Sequence, residues 1–319
     1  MKNSARLALA PAAALLALLP AAIVIAQEPA SAAYTVMETG KSYTRLQDAV
    51  NAIGDGTGTI RFGSFRFADC AVQPAGDITY IAQVPGQAVL DGVTCEGKAA
   101  LVLRGRSARI EGLVFANMAV SDWNGAGIRL EHGNLAVSQS WFRDSQQGIL
   151  SGADPDGSIT VDKSTFTRLG TCEGSGGCAH SIYIGDYGAA TVTRSRFEAG
   201  RGGHYLKSRA AKIAVLSSSF DDSAGRQTNY MIDLPGGATG RIAGNWFVQG
   251  PSKENHSAFI ALAAEGKANT SAGLVIEGND ARFAPGVAWP SVFVADWSGD
   301  PIQIGANKLE ARLTVKERR

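Results

Sequence analysis

Between residues 179 and 234 the chain gathers the side chains from which proton-transfer chemistry is built: His180, Tyr183, His204, Lys207, Arg209, Tyr230 and Asp233. They sit in three short segments of one outline, Ala-His-Ser-Ile-Tyr-Ile-Gly (179–185), Gly-Gly-His-Tyr-Leu-Lys-Ser-Arg (202–209) and Asn-Tyr-Met-Ile-Asp-Leu (229–234). Histidine and tyrosine are apt to take or give a proton, and fixed Lys and Arg cations stabilise an anion that forms during reaction. The set suits removal of the proton beside a uronate carboxyl, followed by β-elimination of the glycosidic oxygen. In that scheme Lys207 is base or carboxylate neutraliser, Arg209 a neutraliser, and His204 with Tyr183 the proton-transfer pair. His180, Tyr230 and Asp233 orient them or bind sugar, and Asn255 with His256 lines the rim. Without an acid for the leaving group the same residues give C5 epimerisation.

Taken singly, each residue has a plainer role. Lys207 beside Asp233 can be a surface ion pair contributing at most about 1 kcal/mol. Either histidine can merely start a strand, the tyrosines can stack, and Asp221-Asp222 can be a turn. The functional signal is the concentration of ionisable groups on three adjacent segments, where flanking segments offer Ala, Leu and Gly.

These segments belong to a degenerate repeat. From residue 108 onward an alternating apolar pair leads to a phenylalanine, at Phe115, Phe142, Phe166, Phe197, Phe220, Phe247 and Phe283, with spacings of 23 to 36 residues. A second short strand lies between successive phenylalanines, as in Gly-Ile-Arg-Leu (127–130) and Ile-Ala-Leu (260–262). Short strands at a recurring period, separated by Gly, Ser, Asn and Asp turns, predict a solenoid whose coils bury apolar residues only by stacking. No Leu-x-x-Leu-x-Leu pattern recurs, and four propeller strands do not fit about 25 residues. An all-β, right-handed parallel β-helix remains, with an amphipathic helix over 43–53 (Leu46, Ala49, Val50, Ile53) as a short N-terminal cap.

In its coil period, its turns Ser217-Ser218-Ser219, Gly244-Asn245 and Gly278-Asn279, and its helical cap, the chain resembles the pectate-lyase-like β-helix superfamily over residues 35–310. The resemblance implies the fold and an exported polysaccharide-active protein. The family's hydrolase blocks are absent in order, Gly203-His204 and Asp221-Asp222 being fragments. The signatures of the calcium pectate lyases are absent too, and Asp154-Pro155-Asp156-Gly157 lacks the histidine of the mannuronan epimerase motif.

Stacking successive coils about 4.8 Å apart and alternating side chains across the strand predicts who lies beside whom. The outward column reads Arg129, Leu150, Tyr183, Lys207, Asp233, Ala261. The column at the strand starts reads Ala126, Gln147, His180, His204, Tyr230, Ala258.

Lys2 and Arg6, then an apolar run to Ile25 and small residues, predict a signal peptide over 1–26, with cleavage as late as 32, and a single β-helix domain over 34–319. The expected location is periplasmic or secreted. Removing Lys2 and Arg6 leaves 28 basic against 29 acidic residues, about −1 from the formal +1 of the whole chain. No global basic field recruits nucleic acid, and no further stretch is long enough to span a membrane. The expected partner is an acidic polysaccharide or oligosaccharide, met by a monomer. Four cysteines in an exported chain predict Cys70–Cys95 and Cys172–Cys178, the second clamping the loop before His180. No cofactor is certain. Ca2+ is the candidate metal, with Asp186, Asp233 and Glu265 as oxygen ligands, although no calcium-loop spacing is present. A glycoside hydrolase and a noncatalytic glycan-binding or envelope β-helix are the competing functions.

Overall fold

The structure, a computed structural model, describes residues 32–319, so the expected signal peptide over 1–26 lies outside the described residues. Three sheets of 12, 10 and 10 strands run the length of the chain, and successive strands visit them in turn. The fold is a parallel β-helix. Among the described residues the antiparallel ladders join Tyr34–Val36 to Lys41–Tyr43 and to Thr57–Phe62, at the start of the first sheet.

The capping helix spans Leu46–Ile53, shorter than the expected 43–53, because Tyr43 ends a strand and Arg45 is extended. No cap comes from Arg45 itself; the Leu46 N–H donates to Asp69 Oδ2 at 2.7 Å. Leu46, Ala49 and Val50 are buried, and the helix packs on the first strands of the coil.

The repeat read as one apolar run ending at Phe is two strands in different sheets, joined by a sharp corner. Asn134–Ser138 lies in the first sheet and Trp141–Arg143 in the second. The corner residues Gln139, Lys163, Arg194 and Ser217 all have φ near +50°, from 47 to 51. Each corner buries backbone that a side chain of the next coil must satisfy. The N–H groups of Ser140, Ser164 and Ser195 donate to the hydroxyls of Ser164, Ser195 and Ser218 at 3.1–3.2 Å. Asn245, Asn279 and Asn307 continue the ladder at 2.9–3.0 Å.

Inside, Phe115, Phe142, Phe166, Phe197, Phe220 and Phe247 form one column, with centroids 4.7–5.0 Å apart and rings within 14° of parallel. Phe283 leaves that column. Its strand places Ala281 beside Phe247 and Phe283 beside Gln249, and the Phe283 ring meets Phe259 edge-on at 5.9 Å.

Candidate functional site

The third sheet carries the site in the expected register. Leu150 pairs with Tyr183, Tyr183 with Lys207, Lys207 with Asp233, and Asp233 with Ala261. Between them the apolar residues Ile182, Leu206 and Ile232 point into the core and are fully buried. Just before these strands His180, His204 and Tyr230 stack, with centroids 4.9 and 5.5 Å apart.

Gly203 makes that histidine ladder possible. It has φ +60, and a Cβ on it would stand 2.1 Å from the Ala179 carbonyl oxygen and 2.5 Å from His180 Nδ1. The next N–H, of His204, donates to His180 Nδ1 at 3.0 Å. That bond uses the lone pair on Nδ1, so the neutral ring carries its proton on Nε2 and offers a donor there.

Lys207 is not a surface residue. Its ammonium lies 3.3 Å from Asp233 Oδ2 and 2.5 Å from Glu265 Oε1, with side chains 11% exposed for Lys207 and 4% for Asp233. The exposed-pair figure therefore does not apply; breaking a pair this buried leaves an uncompensated charge. Glu265 also bonds the Arg209 guanidinium, and Arg209 Nε donates to the Tyr183 hydroxyl at 3.0 Å. His204 Nε2 stands 3.3 Å from the same Asp233 Oδ2.

Burial pushes the Asp233 carboxyl up to about 6 against the pull of Lys207. Burial, with the Lys207 charge second, lowers His180 to about 3. Burial also holds His204 well below the ordinary imidazole value, helped by the Lys207 charge. Burial works against ionised Glu265, but hydrogen bonds from Lys207 and Arg209 outweigh it and keep its carboxyl low. Both histidines are thus neutral near pH 7, and His204 Nδ1 is left without a protein partner.

Above these residues lies a cleft of about 700 Å³. Gly176, Gly177 and Cys178 wall one side, held by the Cys172–Cys178 disulfide; Cys70–Cys95 is the other bond, both as expected. Asn229, Glu254 and Glu265 form part of the remaining wall. His180, Tyr183, His204, Lys207 and Arg209 line the cleft, whereas Tyr230 and Asp233 do not. Asp233 sits beneath Lys207 and His204, and Tyr230 packs with Ala258 and Ala261 behind His204. Asn255 and His256 are also away from the cleft: the Asn255 Oδ1 accepts the Ser257 N–H at 3.0 Å, and His256 stacks on Trp289 at 4.6 Å. Of this segment Glu254 is the residue in the cleft lining.

The expected calcium ligands do not converge. Asp186 is exposed, Asp233 is buried under Lys207, and Glu265 is held by two cations. Among the described residues no three His, Cys, Asp or Glu side chains gather as a metal site.

Asp222, expected in a turn, is a buried hub. Its carboxylate accepts Tyr205 and Thr228 hydroxyls at 2.7 Å and pairs with Lys253 at 3.1 Å, both ionic side chains being 0% exposed. Through Thr228 and Lys253 it ties together the segments that carry Asn229 and Glu254 into the cleft wall. The sequence offers no local sign of this, since Lys253 lies on a different coil. Gln147, Leu150 and Arg129 also line the cleft and were legible only as members of its columns.

No family model and no curated protein matches the chain. Among solved structures, ORF18 of Geobacillus virus E2 is 13% identical at a TM-score of 0.41, over 85% of this chain and 57% of that one. The tailspike gp49 of Acinetobacter baumannii bacteriophage Fri1, a capsular polysaccharide depolymerase, is 9% identical at a TM-score of 0.41, over 85% of this chain and 60% of that one. The chain thus spans less than two thirds of either, and likeness at that level carries no argument about chemistry.

Proposed function

We propose that the protein is an exported enzyme that cleaves a uronic-acid-containing polysaccharide by β-elimination in the cleft above Tyr183, Lys207 and Arg209. The observation that carries the reading is the Tyr183 hydroxyl on the cleft wall. It accepts from Arg209 Nε at 3.0 Å, so its own proton is free for a ligand, and Lys207 Nζ stands 5.9 Å from its ring centre. The apolar leader and two disulfides support export.

Glu265 marks where a substrate carboxylate fits, since one carboxylate there meets both Lys207 and Arg209. At 45% exposed it is the more accessible anion of the pair, and the uronate takes its place. Lys207 then donates to the substrate carboxylate as an ammonium, which makes it the neutraliser and not the base. Neutral His204 takes the C5 proton, with Asp233 stabilising the imidazolium that results. The electron pair passes through the enolate-like carboxylate to expel the C4 oxygen, and Tyr183 gives that oxygen a proton. One proton is taken and one given, and no water enters the product. Preorganised cations matter because the charge they meet develops in the transition state.

One observation favours a hydrolase as the second reading. Asp233 and Glu265 both lie on Lys207, and their environments push their pKa values apart, the arrangement that separates an acid from a base. Against it, Asp233 is 4% exposed at its side chain and does not face the cleft. The experiment is digestion of alginate, polygalacturonate and hyaluronan by the whole protein, with ultraviolet absorbance and product masses read together. Elimination gives an absorbing unsaturated sugar with no mass gained. A gain of one water per cut contradicts the proposal and supports hydrolysis, and binding without cleavage leaves a glycan-binding β-helix.

A further inference from the structure

Four Lys or Arg side chains line the cleft: Lys98, Arg129, Lys207 and Arg209. Three are already matched by acids. Lys98 pairs with Glu131 at 2.6 Å and Glu96 at 3.1 Å, Lys207 with Asp233 and Glu265, and Arg209 with Glu265. Arg129 makes no ion pair and no side-chain hydrogen bond among the described residues, and its Nε is buried without a partner. The acids of the cleft lining are engaged elsewhere: Asp122 Oδ1 accepts the Asn124 N–H at 3.1 Å, Glu254 accepts from the Asn229 amide, and Glu265 is held by Lys207 and Arg209. An unpaired guanidinium half-buried in a cleft is costly unless something arrives to meet it.

Its place is equally specific. Arg129 sits in the outward column between Val102 and Leu150, and the column continues through Tyr183 to Lys207. Three interstrand steps separate Arg129 from Lys207, roughly 14 Å. The intervening floor is apolar, with Leu150 packed among Ala99, Val102 and Ala126 and against Tyr183. Such a floor suits the faces of sugar rings, with charge wanted only at its two ends.

We propose that Arg129 is a second anion subsite: it holds an oxyanion substituent of the polymer, carboxylate or sulfate, three rungs from the reacting residue, so that the glycan lies across the strands, along the helix axis. The inference rests on the cleft being the glycan site proposed above and adds the direction of the chain and the need for a repeated charge. A guanidinium fork suits either oxyanion in bidentate fashion, which an ammonium does not reproduce.

The test measures binding of alginate, polygalacturonate and the sulfated polymer carrageenan to the whole protein, Arg129→Ala and Arg129→Lys, at two salt concentrations. For the polymer bound best, Arg129→Ala is expected to bind at least tenfold more weakly with a shallower salt dependence, and Arg129→Lys to lie between. Carboxyl-reduced polyuronate should bind the wild-type protein no better than Arg129→Ala binds the native polymer; if carrageenan is the ligand that loses affinity, the subsite takes sulfate. Unchanged affinity in both variants overturns the inference, as does failure of the wild-type protein to bind any of the three polymers. Affinity lost in Arg129→Ala with no unsaturated product from the wild-type enzyme sinks elimination and keeps the subsite. Elimination that persists in Arg129→Ala at unchanged KM does the reverse.

Discussion

His180 and Asp233 shift in opposite directions for the same reason, loss of water around the charged form. For His180 the folded value, about 3, lies below the ordinary 6.5. The unfolded chain then binds a proton the native ring refuses, so stability is full above pH 6.5 and is lost as pH falls toward 3. Asp233 is raised to about 6 from 3.8. Its contribution is present below pH 3.8 and is lost as pH rises through 6. Replacing His180→Gln should flatten the fall in the unfolding midpoint between pH 6.5 and 4, and Asp233→Asn should steepen it. Parallel curves for wild type and both variants would mean these groups are not buried as described. The outward column was legible at this scale because alternation along a strand is strict. The burial of Lys207 was not, because Glu265 arrives from a loop two coils later. For the same reason Lys207→Ala is an ambiguous probe of chemistry, since it leaves Asp233 and Glu265 facing each other without their shared cation.

The coil itself was legible from its phenylalanines, and its corners were not, since a left-handed Gln, Lys or Arg carries no mark in sequence. Stacking of like rings at 4.7–4.8 Å on both faces of Phe197 makes it a position with no room to relax. Phe197→Ala should cost roughly 3 to 5 kcal/mol, read by denaturant unfolding, through the cavity it opens. Phe283→Ala removes an aromatic outside the column and should not disturb the stack. The Cys172–Cys178 pair closes a loop with a sequence separation of 6, so it constrains little of the unfolded chain. Cys172→Ser with Cys178→Ser should therefore shift the global midpoint only slightly. It should weaken glycan affinity by several-fold, because the freed loop is a wall of the cleft. A large loss of global stability with unchanged affinity would reverse that assignment.

For the whole molecule, a solenoid offers a long face on which equal steps repeat, and the walled cleft of this one gathers ionisable groups on the rungs from Arg129 to Lys207. Scaffold and site are separable in sequence: the phenylalanine, serine and asparagine columns run through flanking coils, while the His, Tyr and Lys columns start and stop. What the sequence could not place were the contacts across coils, the Asp222–Lys253 hub and the Glu265 latch, which come from loops with no repeat to align. Of the proposed chemical groups, Tyr183 is the cleanest to remove, since Tyr183→Phe deletes one oxygen from the cleft wall and leaves the ring over which Lys207 sits. The decisive measurement is the rate at which Tyr183→Phe forms unsaturated product from the polymer that the wild-type protein cleaves, with binding and melting temperature followed alongside. The expected result is a fall of about a hundredfold or more at near-unchanged affinity and melting temperature, the usual worth of a positioned proton donor. Turnover within about threefold of wild type, on the same scale, would contradict elimination at this site.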